Sequence, residues 1–123
     1  MFQKNLCRTY SLLFLLLPFF VFAQTNCESI PSRFSSYNQA ITSVRSAKFR
    51  ISESVNTSSS SVITSANFYS CDAEKGFLII GINNRPYIHT GIPKKLWQAF
   101  KQASSFGSFY NTYIRNKYRV AIN

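Results

Sequence analysis

From Ser36 to Ala47 the apolar positions Tyr37, Ala40, Ile41, Val44 and Ala47 recur at intervals of three and four. This spacing predicts one helical stripe, opposed by Asn38, Gln39, Ser43 and Arg45 and capped by Ser35 or Ser36. Phe49, Ile51 and Val55 then alternate with Arg50, Ser52 and Ser54, which predicts a short strand in which Glu53 interrupts the apolar side. Asn56 to Ser61 has no large side chain to bury and reads as a connector. In the extended run that follows, Val62, Thr64, Ala66 and Phe68 share one side, and Cys71 to Gly76 has the composition of a turn. Phe77 to Ile82 does not alternate: Leu78, Ile80 and Ile82 face one way, Phe77 and Ile79 the other. A strand apolar on both sides implies a sheet covered on both faces, and the helix before it is available as one cover.

Asn83 to Pro86 is expected to turn the chain into a partner strand, Tyr87 to Ile92, completing a hairpin. Pro93 suits the first position of a helix, where its missing N–H costs nothing, and Leu96, Trp97, Phe100 and Ala103 then share a face. Lys94, Lys95, Gln98, Lys101 and Gln102 fall on its solvent side. After a break at Ser104 to Gly107, Phe106, Phe109, Tyr110, Tyr113 and Ile114 repeat at helical spacing, and Tyr118 and Val120 close the packed region. The pattern predicts an α+β fold: an antiparallel sheet of three or four strands, two C-terminal helices on one face and the N-terminal amphipathic helix near the other.

The first 23 residues stand apart. Lys4 and Arg8 precede an apolar run from Leu12 to Phe22, and Val21-Phe22-Ala23 fits a signal-peptidase site, so the segment 1–23 is read as a removable export signal cleaved after Ala23. The competing reading, a retained anchor, needs about 20 apolar residues, more than the run supplies. On this reading the product is secreted or periplasmic, begins at Gln24 and contains no transmembrane segment. Lys4 and Arg8 leave with the leader, so the 14 basic residues fall to 12 against four acids, a net charge of +8. Such a balance favours an anionic polymer as partner, a nucleic acid or an acidic glycan, although it also serves solubility alone. Cys7 departs as well. Cys27 and Cys71 remain as an even pair in an oxidising compartment and are expected to form a disulfide. Gln24-Thr25-Asn26 lacks the apolar and small residues that lipid attachment at Cys27 would require. Asn56-Thr57-Ser58 matches the N-glycosylation pattern, which matters only in a eukaryotic secretory route.

Catalytic constellations are scarce. His89 is the only histidine, and no Cys or carboxylate lies at metal-ligand spacing from it, so neither metal nor cofactor is expected. A thiol enzyme would have to pair Cys71 with His89, but no orienting third residue or oxyanion motif accompanies them. Asp72 and Glu74 share one turn and do not suggest the flanking carboxylates of a glycosidase. No enzyme activity is expected. A binding surface is easier to assemble: Tyr87 and His89 project to one side of their strand, and Lys94, Lys95, Arg115, Lys117 and Arg119 supply cations near the helix start and the C-terminus. A second reading is an envelope structural or interaction module in which the aromatic helices dock an envelope protein.

Ser60-Ser61-Val62-Ile63 with Phe68, Leu78-Ile79-Ile80, Tyr87-Ile88-His89-Thr90-Gly91-Ile92-Pro93, Trp97, Ala103 to Asn111, and Ile114 to Tyr118 form an ordered set of segments. Taken together they resemble the KTSC domain, a module found alone in bacterial proteins and at the C-terminus of some lysyl-tRNA synthetases. The resemblance makes residues 60–120 a KTSC-like domain and 24–59 an extension peculiar to exported forms. The family has no established function; its synthetase fusions suggest RNA binding, although an exported chain does not meet tRNA. This chain departs from the family's Tyr-x-Tyr at His89, which trades one phenol face for an imidazole that can also stack on a base.

Overall fold

The computed structural model describes residues 24–123; the segment expected to act as an export signal, 1–23, with Lys4, Cys7 and Arg8, lies outside the described residues. Three short elements come first among the described residues: β1 (Thr25–Asn26), a 3-10 turn (Cys27–Ser29) and β2 (Arg33–Phe34). Helix α1 (Tyr37–Ser46) follows, started by Ser36, whose hydroxyl accepts from the Gln39 N–H. Beyond it lie β3 (Ala47–Lys48), β4 (Ile51–Ser54), β5 (Ile63–Ser70), β6 (Lys75–Ile82) and β7 (Arg85–Pro93). The C-terminal part comprises α2 (Lys94–Lys101), α3 (Phe106–Phe109), a π-helical turn (Tyr110–Ile114) and β8 (Ala121–Ile122). Strands β4-β5-β6-β7 form one antiparallel sheet in sequence order, while β1 pairs with β3 and β2 with β8 in small parallel ladders. The fold is α+β.

The non-alternating β6 sits at the centre, as its composition requires. Leu78 and Ile80 join Ile63, Ala66, Phe68 and Ile92 under α2 and α3, against Trp97, Phe100, Phe106, Tyr110 and Ile114. On the opposite face Ile79 and Ile88 pack with Phe34, Ala40, Ile41, Val44 and Val120. Residues ahead of the sheet therefore cover its second face. At Glu53 the broken alternation of β4 is explained by distant partners: its carboxylate accepts from the Trp97 indole and the Lys101 ammonium, both at 2.9 Å. Those bonds, the indole's first, hold its carboxyl below the usual range.

Five local expectations change. Val62 and Thr64 point outward, because a bulge between Ile63 and Ser65 inserts Thr64 as an extra residue and turns Ile63 and Ala66 to the same interior side. The β6–β7 turn contains only Asn83 and Asn84, both at positive φ, and Ile82 already pairs with Arg85. Pro86 accordingly lies in β7, tolerated because this is an edge strand. Pro93 is the extended cap of α2 rather than its first helical residue. Tyr37 is exposed although it lies on the stripe of α1.

Cys27 and Cys71 lie at disulfide distance, Cα to Cα 5.8 Å, linking the first turn to the β5–β6 connection. In that connection Asp72 accepts from the Lys75 and Glu74 N–H groups, which hold its carboxyl low. Among the described residues no helix is long and apolar enough to cross a membrane, and no group of His, Cys, Asp and Glu suits a metal ion.

A cleft beside the edge strand

The side chains that share a purpose converge at one end of β7. Ile80 pairs with Tyr87 and Leu78 with His89, so both β7 side chains point to the face that carries the C-terminal helices. A bulge next to His89 then changes the period. Gly76 pairs with Ile92 while Leu78 pairs with His89, which leaves one more residue in β7 than in β6 and puts His89 and Ile92 on one face. Gly91 supplies the required backbone, at φ +70°.

His89 is buried, and both of its ring nitrogens are engaged. Nδ1 lies 3.2 Å from the Tyr118 carbonyl, which can only accept, so Nδ1 carries the proton. Burial pushes the imidazole below its ordinary range, against the opposing effect of that carbonyl, and the neutral ring is left to accept the Tyr110 hydroxyl at Nε2, 2.9 Å away. Tyr110 is itself pushed above the usual phenol range, first by burial; nearby Arg115 draws it down and Tyr87 raises it. The π-helical turn makes this arrangement possible. Its widened ring, closed by Arg115 N–H to the Tyr110 carbonyl at 2.9 Å, delivers Arg115 and then Asn116, at φ 64°, so that the chain reverses alongside β7. Tyr118 accepts from Thr90 N–H, and Arg119 bridges to His89.

These elements enclose a cleft of about 720 Å³. Tyr87 and Tyr37, 44% and 57% exposed, stand in its walls with Pro86; Tyr110 and His89 line its interior; Arg115, Arg119, Asn111 and Asn116 supply its polar groups. None of the four acids lines it. Among the described residues the one salt bridge joins Lys101 to Glu53, so Arg115 and Arg119 have no carboxylate partner; Arg119 donates to the Asn116 side chain at 3.1 Å. Four sequence candidates thus meet here: Tyr87, His89, Arg115 and Arg119. Three do not line the cleft. Lys94 and Lys95 begin α2, where Lys94 N–H donates to the Glu74 carbonyl, and the Lys117 ammonium donates to the Thr112 carbonyl at 2.8 Å. The pairing of Cys71 with His89 has no counterpart, since Cys71 faces Cys27 and His89 faces Tyr110.

Sequence reasoning missed Tyr110 and Tyr37 as cleft residues, having counted both among apolar helical stripes. It also passed over Asn111 and Asn116. The signal for Tyr110 was its hydroxyl: a phenol at a buried stripe position needs a hydrogen-bond partner. No curated protein and no solved structure matches this chain. The family model for the KTSC domain matches residues 59–118, a span that holds the hairpin, α2, α3 and most of the cleft. Residues 59–118, just under half of the chain, therefore carry a KTSC domain.

Proposed function

We propose that this protein is an exported, non-catalytic module that binds an anionic polymer, a nucleic acid or an acidic glycan, in the cleft between Tyr37, Tyr87, Arg115 and Arg119. The observation that carries this reading is the presence of two guanidiniums without carboxylate partners in the same cleft as two exposed phenol rings. Arginine gives planar, bidentate recognition of carboxylate or phosphate, and the rings offer faces for a base or a sugar. His89 serves the site indirectly by orienting Tyr110. Lys94, Lys95 and Lys117 add to the positive field that steers an anion inward without touching it. Cys27 and Cys71 at disulfide distance suit the oxidising compartment to which the leader would deliver the chain.

Binding of labelled single-stranded oligonucleotides and acidic glycans across a salt series tests the proposal. For a single-stranded nucleic acid, two phosphate contacts give a slope of log affinity against log salt near about −1.4, and Arg115→Gln or Arg119→Gln each removes about 0.7 of it. Failure of every such ligand to bind at low salt would eliminate the reading. An envelope protein retained at high salt would instead shift function to the aromatic helical surface around Tyr113, which is 51% exposed and packs on Phe109.

A further inference from the structure

The cleft does not end at Asn111. Val62, Gly107 and Asn111 also border a second depression of about 390 Å³, lined by Ser59, Ser60, Ser61, Ser104, Ser105 and Ser108. No Lys, Arg, Asp or Glu lines it. Ser60 Oγ accepts from the Val62 and Ile63 N–H groups, and Ser105 Oγ accepts from Ser108 N–H, so two of the hydroxyls are anchored through their oxygens and keep their protons to donate. Most of these serines fall in the segments that resemble the family, Ser60-Ser61 and Ala103 to Asn111, and anion binding at the arginines leaves them unused.

We propose that the two depressions form one groove for an acidic oligosaccharide, with a carboxylated sugar at the Arg115 and Arg119 end and a neutral sugar at the serine end. The inference rests on the anion-binding reading above and names the ligand class for it. A single strand of nucleic acid carries a phosphate at every nucleotide, and proteins that hold one line its whole path with cations. The serine half has none. A glycan in which carboxylated and neutral sugars alternate can set one carboxylate at the arginines and its uncharged neighbour at the serines. Its hydroxyls both give and take hydrogen bonds, as Ser and Asn side chains do, and the apolar C–H face of a pyranose ring fits the exposed face of Tyr87. Each depression falls within the roughly 300–1,000 Å³ typical of ligand sites.

The test is calorimetric titration of the disulfide-intact chain at low salt with three probes: a tetrasaccharide of alternating glucuronic acid and N-acetylglucosamine, neutral chitotetraose, and a short oligothymidylate. The uronate tetrasaccharide is expected to bind at least about tenfold more tightly than either of the others. Ser108→Val, at an exposed position, should weaken the tetrasaccharide by about threefold to tenfold, the range of one lost hydrogen bond, and leave oligothymidylate unchanged. Oligothymidylate binding as tightly as the tetrasaccharide would overturn the glycan assignment while leaving the anion-binding reading intact. Chitotetraose binding as tightly as the uronate would overturn the charged half of the groove. Absence of binding by both charged probes would remove both readings together.

Discussion

His89 is the only imidazole in the chain, and the fold spends both of its nitrogens, one on the Tyr118 carbonyl and one on the Tyr110 hydroxyl. Its proton affinity is lowered by burial, so the unfolded chain takes up a proton at a pH where the folded chain does not. The stabilising contribution is therefore complete above the unfolded value of about 6.5 and is lost as pH falls through the folded value. Within that window chemical denaturation should show stability falling by up to about 1.4 kcal/mol per pH unit, and His89→Gln should flatten the curve. A wild-type curve as flat as the variant's between pH 5 and 7 would show that the ring is not held neutral. The period of two in β7 was enough to place Tyr87 and His89 on one side. It gave no means of seeing Tyr110, because helical spacing says which face a residue takes, not which nitrogen its hydroxyl will meet 21 positions away. Glu53 is the same case: a carboxylate that spoils a strand's alternation has its reason in Trp97, 44 residues on.

Two bulges decide which side chains the sheet shows to each layer. The first, at Thr64, sends Ile63 and Ala66 inward together; the second, at Gly91, puts His89 at the cleft and Ile92 in the core. Strict alternation fails at such points, which is why it puts Val62 and Thr64 on the wrong side while β6, which has no extra residue, is legible. The Gly91 bulge is open to test because nothing lies within 4 Å of where a Cβ would stand, so a substitution there meets backbone strain without a clash. With φ at +70°, Gly91→Ala is expected to cost about 1–2 kcal/mol. Gly91→Asn, though larger, should cost less, since asparagine tolerates the left-handed region. Urea denaturation of both variants checks the order; an alanine variant as stable as wild type would mean that the bulge relaxes, and His89 would then be free to leave Tyr110.

The family match ends at residue 118, yet the core it belongs to is completed by residues outside that span. Ile79 and Ile88, almost wholly buried, are covered by Ala40, Ile41 and Val44 of α1 with Phe34 and Val120. The segment carrying α1 joins the rest through short ladders: β2 pairs over two residues with β8, and β4 over four residues with β5. Apolar contact, the bonds of Glu53 to Trp97 and Lys101, and the link from Cys27 to Cys71 complete the attachment. Closing a loop across a separation of 44 residues removes chain entropy worth about 4 kcal/mol from the unfolded state. Replacing both cysteines by serine should therefore lower stability by about 2–4 kcal/mol. The loss should not be uniform. Because the tie anchors the covering segment rather than the β5–β6–β7 hairpins, amide exchange in α1 should accelerate well beyond that in β6, and a hydrophobic dye should detect the uncovered face around Ile79. If α1 exchanged no faster than β6 in the double variant, apolar packing alone would account for the cover. The bridge would then act only on the unfolded chain, and the two layers would be one cooperative unit despite the family boundary between them.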